Sequence, residues 1–213
     1  MGFDGLIRKL YDISEWITRL MYVNLLWILF TLAGLGAAGF FPSTAAMFTV
    51  TRKWVVGERE VPVVKTFWAA YKQNFIQSNL IGYLFIIIGL ILYVDLRFFQ
   101  TSEQFIFQSF SFIILFLLII YFICILYMFP VFVHFKFKTL AYVKYSFIIA
   151  AGRPLLTIFM VAGTVLLLIL LKYLPILVLF IGGGLMSYVM MWIAVRAFPK
   201  EQIQMGSQNS QKV

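Results

Sequence analysis

Residues 42–56 read PSTAAMFTVTRKWVV, and their path through or along a bilayer sets the topology of the chain. Upstream, residues 21–41 contain no charged residue, which is typical of a membrane-spanning helix. The Pro-Ser-Thr sequence is a helix start signal, so we predict that Pro42 breaks the first span and that a new helix occupies residues 43–56. Fourteen residues extend only about 21 Å, less than the hydrocarbon core of roughly 30 Å. The segment is therefore either an interfacial helix or a short helix that returns across the bilayer.

The composition around this segment excludes a soluble domain. Of 213 residues, 63% are hydrophobic and 12% are charged, and the mean hydropathy is +0.98. Soluble domains carry roughly 25% charged residues. The sequence therefore predicts an all-α fold, a polytopic helical membrane bundle with five to six membrane segments.

Apolar runs bounded by charges or proline place the segments. We predict one helical membrane domain over residues 1–198, which begins with an amphipathic interfacial helix at 3–20. The membrane segments are predicted at about 21–41, 43–56, 80–94, 110–129, 155–171 and 174–195. Residues 134–154 form a basic, aromatic connection that we expect at the membrane interface, and the polar tail 199–213 is expected to be disordered.

The net charge of +9 reflects orientation in the membrane rather than nucleic-acid binding, because the cations flank the apolar runs. If residues 43–56 return across the bilayer, nearly all Lys and Arg residues share one side, and only Arg97 and Lys172 face the other. A five-segment arrangement divides them more evenly. The positive-inside rule therefore favours six segments with both termini in the cytoplasm.

The sequence offers no recognisable apparatus for catalysis. All eight acidic residues lie outside the apolar runs, whereas ion-coupled machines keep ionisable groups inside their spans. A single histidine, His134, and a single cysteine, Cys124, cannot form a multi-residue metal site. Neither a phosphate-binding loop nor a nucleophile turn occurs. We therefore expect no catalytic residue, metal or cofactor, and no enzymatic activity.

Small and polar residues near the predicted break allow two interpretations. Gly34, Gly36 and Gly39 can let two helices pack closely, or the break can open a polar pocket in the membrane. The candidate residues of such a pocket are Asn24, Thr31, Pro42, Ser43 and Thr44. Residues 182–184, three consecutive glycines, similarly indicate either a close helix contact or a hinge, and Asn24 and Asn79 either bond across helices or touch a ligand.

Several motifs between residues 20 and 80 resemble a known family. They are NLLW at 24–27, GLG at 34–36, FFPSTAAMF at 40–48, RKW at 52–54, GERE at 57–60 and FWAAYKQNF at 67–75. These motifs resemble the YesL-like family of small bacterial integral membrane proteins, a domain of unknown function numbered 624. The resemblance implies a bacterial cytoplasmic membrane and an association with carbohydrate uptake systems, and it supplies no catalytic residues.

The family-like residues cluster on a polar, amphipathic stretch after residue 51, which indicates an interaction surface. Its candidate residues are Arg52, Lys53, Trp54, Glu58, Arg59, Lys65, Trp68 and Lys72. Our leading hypothesis is a non-enzymatic partner that binds a carbohydrate transporter subunit through this surface; anchoring to anionic lipid by the same residues is an equal alternative. The rival function is a small-solute facilitator or channel whose pathway passes the break at Pro42. A membrane enzyme comes third and requires a polar pocket with convergent ionisable groups.

Overall fold

The computed structural model describes residues 3–101 and 104–198, and over these ranges it contains helices and no strand. The predicted tail, 199–213, lies outside the described residues. The helices are α1 Phe3–Ala33, α2 Ala37–Val55, α3 Val63–Thr101, α4 Phe105–His134, α5 Thr139–Gly152, α6 Pro154–Tyr173, α7 Pro175–Leu177 and α8 Gly183–Ala197, with a π-helical turn at Val178–Gly182 between α7 and α8.

Five of these helical stretches are long and apolar enough to cross a membrane. They are Ile7–Ala33, Val63–Thr101, Ile106–His134, Pro154–Tyr173 and Val178–Ala197. The prediction of an all-α, multi-pass membrane protein is confirmed.

The chain forms two compact units. Unit 1 comprises Met1–Phe75 and Ala162–Trp192, and unit 2 comprises Ile76–Val161 and Ile193–Val213. Three of the long helices, α3, α6 and α8, contribute residues to both units.

Unit 1 is built on an antiparallel hairpin of α1 and α2. The rings of Trp16 and Trp54 lie 6.1 Å apart at its open end, and Trp27 donates from Nε1 to Thr44 Oγ1 at 3.0 Å further along. At the closed end the chain turns over residues 34–36, where Leu35 and Gly36 have φ values of 60° and 72°. A Cβ at Gly34 would stand 2.4 Å from Gly39 Cα, so the small residues serve close helix packing.

The predicted break at Pro42 is wrong, because Pro42 lies inside α2. A proline within a helix removes one backbone hydrogen bond and costs about 3 kcal/mol in an isolated helix. Here the residues from Phe41 to Phe48 are all buried, and their packing outweighs that local cost. The turn instead lies at residues 34–36, where Gly36 accepts positive φ without a steric penalty.

Two predicted boundaries do not interrupt the helices. The predicted interfacial helix 3–20 continues into the predicted span without a break, and the resulting α1 ends at Ala33 instead of at residue 41. The predicted amphipathic helix and the span 80–94 likewise form one α3 of 39 residues, which continues past Asp95 and Arg97 to Thr101. No proline or pair of adjacent glycines interrupts these stretches, so the backbone stays helical. Only the hydropathy of the residues changes along each helix.

The core of unit 1 joins α1, α2 and the first turns of α3. Leu20 and Val23 of α1, Val50 and Trp54 of α2 and Phe67 of α3 belong to one buried cluster. The last helix approaches the same cluster closely, since a Cβ at Gly184 would lie 2.7 Å from the carbonyl oxygen of Leu20. The glycines at 182–184 therefore include a close helix contact.

Unit 2 contains α4 and α5, which differ from the predicted segments. α4 continues through Pro130 to His134 instead of ending at residue 129, because Pro130, Val131 and Phe132 are buried. The predicted connection 134–154 contains a helix, α5. Tyr127 and Thr157 share a buried hydrogen bond of 3.1 Å, and Cys124 is a buried free thiol.

Candidate functional site

The linker between α2 and α3 is fixed at its start by a helix C-cap. Glu58 N donates to Lys53 O at 2.9 Å, and Gly57 N donates to Trp54 O at 3.2 Å. This pair of bonds is the Schellman motif, which places a residue with positive φ at the position after the cap. Gly57 takes that position with a φ of 101°.

An arginine of α1 holds the middle of the linker. Arg19 donates from Nη1 to the carbonyl oxygen of Arg59 at 2.5 Å, and its Nη2 is ion-paired with Glu15 at 2.5 Å. The guanidinium groups of Arg19 and Arg59 lie 5.8 and 5.9 Å from the Trp16 ring. These residues, with Asp12, line a polar cavity of about 200 Å³. The bond from Arg19 to the Arg59 carbonyl therefore fastens the linker to α1.

In the first half of the predicted surface, residues 52–59, several side chains make contacts within the protein instead of facing outward. Trp54 is only 3% exposed and packs edge-on against Trp16, so its prediction as a surface residue is wrong. A tryptophan beside two cations is typical of a membrane interface, but here the hairpin buries it. Lys53 is ion-paired with Glu58 at 3.2 Å, and Glu58 also acts electrostatically on the half-buried Arg52.

The second half of the surface is exposed on α3. Trp68 is 43% exposed and stacks on Tyr71 with ring centroids 5.9 Å apart. Lys72 Nζ lies 4.9 Å from the centre of the Trp68 ring, within the range of a cation–π contact. Over the described ranges, neither Lys65 nor Lys72 has a carboxylate within ion-pair distance.

An apolar groove runs beside this exposed half. Its volume is about 480 Å³, within the size range of ligand and docking pockets. It is lined by Tyr22, Phe30, Pro62, Val63, Val64, Lys65 and Trp68. The groove and Lys72 are called the α3 groove below.

The sequence did not indicate the α1 wall of the groove. Tyr22 and Phe30 belong to a run that reads as an ordinary span, and Phe30 contacts Phe67, Trp68 and Tyr71 with centroids 5.2 to 5.3 Å away. The sequence signal for this wall was the spacing of Tyr22 and Phe30, because residues eight positions apart, about two helical turns, lie on the same face of a helix.

The structure does not gather the five candidate pocket residues around one opening. Asn24 bonds to the π-helical turn through Leu179 O and to Gly184 N. Thr44 accepts from Trp27 and donates to Phe40 O at 2.7 Å. Pro42 and Ser43 are buried within α2, and neither cavity described above includes Thr31 in its lining.

No group of three His, Cys, Asp or Glu residues that could hold a metal occurs in the described part of the chain. The α3 groove combines an apolar floor with two cations and a stacked aromatic pair, and groups of these kinds are common at protein-binding surfaces.

Sequence comparisons assign the chain to a protein family. A family model described as "Protein of unknown function, DUF624" matches residues 20–96. The chain is 42% identical over 193 residues to the "Uncharacterized protein YteU" of Bacillus subtilis (strain 168), an alignment that covers 91% of this chain and 86% of YteU. It is 38% identical over 187 residues to the "Uncharacterized protein YesL" of the same organism, with 86% of each covered. The chain belongs to the DUF624 family.

The "Uncharacterized protein YesV" of the same organism is a third similar protein, 36% identical over 195 residues and covering 92% of this chain and 94% of YesV. The DUF624 match runs from α1 through α2 and the linker to residue 96 of α3. It therefore includes every residue that lines the α3 groove. No solved structure gives a significant match to the chain.

Proposed function

We propose that this DUF624 protein is a non-enzymatic accessory of a bacterial carbohydrate uptake system, and that it binds a transporter subunit through the α3 groove. The resemblance to the YesL-like family implies the association with carbohydrate uptake. The observation that carries the proposal of binding is the exposed Lys72–Trp68–Tyr71 stack beside an apolar groove. Aromatic residues next to apolar pockets are enriched where proteins bind one another.

The chemistry of the groove specifies the partner segment. An amphipathic helix can place its apolar face in the groove, as helix-binding grooves do. Lys65 and Lys72 lack an ion pair over the described ranges, so acidic residues flanking that apolar face would complete the contact. The partner element is therefore an amphipathic helix with acidic flanks.

The proposed location is the cytoplasmic membrane, with the linker and the α3 groove on the cytoplasmic side. The positive-inside rule supports this orientation, because nearly all Lys and Arg residues then share the cytoplasmic side. The proposal that the protein is not an enzyme is supported by the engagement of Glu15 with Arg19 and of Glu58 with Lys53. Both carboxylates are held by cations of the protein itself rather than presented to a substrate.

The test is affinity purification from native membranes with a matched pair of variants. Trp68→Ala removes the exposed ring at the groove, and Trp192→Ala removes a ring of similar exposure, 47%, on α8. We expect the wild type and Trp192→Ala to recover a transporter subunit and Trp68→Ala to lose it. The charge reversal Lys72→Glu should weaken recovery as well, because it opposes an acidic partner.

Two results would count against the proposal. If well-folded wild-type protein repeatedly recovers no transporter subunit, the proposed partner is wrong. If both tryptophan variants lose the subunit equally, the α3 groove is not its binding site. Solute movement in liposomes that contain only the purified protein would instead favour the facilitator. That experiment uses the wild type and needs no partner.

A further inference from the structure

Three candidate membrane helices each have one end in unit 2, and these three ends lie together. α4 ends at His134, α6 begins at Pro154 and α8 ends at Ala197. The His134 ring lies 4.4 Å from the ring of Phe198, next to the end of α8. Arg153 donates from Nη1 to the carbonyl oxygen of Arg196 at 3.2 Å, so the start of α6 meets the end of α8. Because all three belong to apolar candidate spans, their common end marks the level at which the hydrocarbon core stops.

Two lysines project from the connection between α4 and α5. Phe135 and Lys138 have extended backbone dihedral angles, and in extended backbone alternate side chains point to opposite faces. Phe137 stacks on Tyr145 at 4.2 Å and on Phe135 at 5.4 Å. Lys136 and Lys138 are exposed, on the opposite face and about 7 Å apart along the backbone.

Tyr142 fixes this short connection in place. Its hydroxyl accepts a hydrogen bond from Phe137 N at 3.0 Å and donates one to Phe135 O at 3.1 Å. The two lysines are therefore presented by a segment that is tied at both ends rather than by a free loop.

Lys136 and Lys138 have no counter-charge within the described part of unit 2. Residues 104–198 contain no Asp or Glu. The described carboxylate of unit 2 is Asp95, 18 residues beyond Gln77 on α3, and Gln77 donates to Phe137 O at 3.0 Å. Eighteen helical residues extend about 27 Å, so Asp95 is remote from the lysines. Glu201 lies outside the described residues.

We propose that this end of unit 2 binds the phosphate groups of anionic phospholipids. The site consists of the exposed cations Lys136, Lys138, Lys144 and Arg153, and it is called the cationic end below. Lysine, arginine and aromatic side chains at the end of spans face the lipid headgroups, and clustered cations at that level attract anionic lipid. The ligand is a membrane lipid, and the inference does not depend on the transporter partner proposed above.

The test measures lipid binding by the purified full-length protein in nanodiscs. Nanodiscs of phosphatidylcholine are compared with nanodiscs that also contain phosphatidylglycerol, and retained lipid is measured by native mass spectrometry. The variant Lys136→Gln/Lys138→Gln should bind phosphatidylglycerol about 25-fold more weakly than the wild type, since a cation near an anionic surface contributes about fivefold. The matched control Arg97→Gln/Lys172→Gln also removes two charges and should bind like the wild type.

Thermal unfolding in the same nanodiscs checks that both variants fold. If both double variants bind phosphatidylglycerol equally weakly, net charge alone attracts the lipid, and the cationic end is not a specific binding site. Stabilisation of the wild type by inorganic phosphate in pure phosphatidylcholine would overturn the lipid as ligand, as would stabilisation by an acidic peptide without any response to phosphatidylglycerol. Raising the salt concentration should reduce the phosphatidylglycerol preference of the wild type.

Discussion

The side-chain amide of Asn24 donates from Nδ2 to the carbonyl oxygen of Leu179 at 2.6 Å, across 155 positions of sequence. The same amide accepts from Gly184 N through Oδ1 at 3.2 Å. Leu179 belongs to a π-helical turn, Val178–Gly182, and Gly184 follows that turn in α8. Such π-helical turns are rare in proteins. One buried side chain of α1 thus bonds to a carbonyl within the irregular turn and to an amide just after it.

The variant Asn24→Leu should destabilise the protein by about 2 kcal/mol, because a buried polar group that loses its partner costs about 1–3 kcal/mol. Thermal unfolding in detergent measures the change. Asn74→Leu is the control, since Asn74 bonds only one turn back, to Ala70 O at 3.0 Å, and it should cost much less. Equal losses for the two variants would contradict the role of Asn24 between helices.

The variant Gly34→Ala should destabilise the α1–α2 hairpin. The new Cβ would stand 2.4 Å from Gly39 Cα and 2.6 Å from Tyr71 Oη, so backbone must move, at a cost of about 1–3 kcal/mol. Gly152→Ala is the matched control, because a Cβ there meets nothing within 4 Å. The measurement is the unfolding midpoint of both variants, and an unchanged midpoint for Gly34→Ala would show that the helices do not need this close approach.

Alkaline pH should weaken the anchoring of the α4–α5 connection. Burial raises the pKa of Tyr142 above the ordinary tyrosine value, so the folded protein keeps a proton that the unfolded chain releases. Stability from this group is therefore complete below about pH 10 and falls as the pH rises further. In pH-dependent unfolding, Tyr142→Phe should be less stable than wild type at neutral pH, with a difference that shrinks above about pH 10. The control Tyr173→Phe changes an exposed ring, and a constant gap between Tyr142→Phe and wild type would contradict the assignment.

Cysteine accessibility should place the linker and the end of α3 on opposite sides of the membrane. Cys124 is first replaced by alanine, which leaves a cysteine-free background. Single cysteines are then introduced by Glu60→Cys in the linker and Gln100→Cys near the end of α3, both at exposed positions. We expect a membrane-impermeant reagent added to intact cells to label Gln100→Cys alone. Labelling of both positions from outside would reject the cytoplasmic linker.

Hydropathy was sufficient to predict the class of the protein and the approximate positions of its spans. The turn between α1 and α2 was misplaced because proline is a strong local signal. The burial of the residues around Pro42, which tolerates the proline, arises from tertiary packing that the local sequence does not show. The glycine at position 34 carried the better signal, since two helices that approach closely need a residue without a Cβ.

The candidate surface could be predicted only in part. Trp68 and Trp54 each lie within a few residues of a cation, yet one is exposed and the other is buried. Their difference arises from Trp16, which covers Trp54 from the other arm of the hairpin. Neighbours in sequence do not report such a contact, and for the same reason Phe30 was not recognised as a wall of the α3 groove.

The α1–α2 hairpin finally has a consequence for parity. A hairpin returns the chain to the side of the membrane from which it entered, however deep its tip at Leu35 lies. It therefore adds an even number of membrane crossings. The remaining candidate spans, Val63–Thr101, Ile106–His134, Pro154–Tyr173 and Val178–Ala197, are also even in number. If each of these four spans crosses the bilayer once, we expect the start of α1 and the end of α8 to lie in the same aqueous compartment.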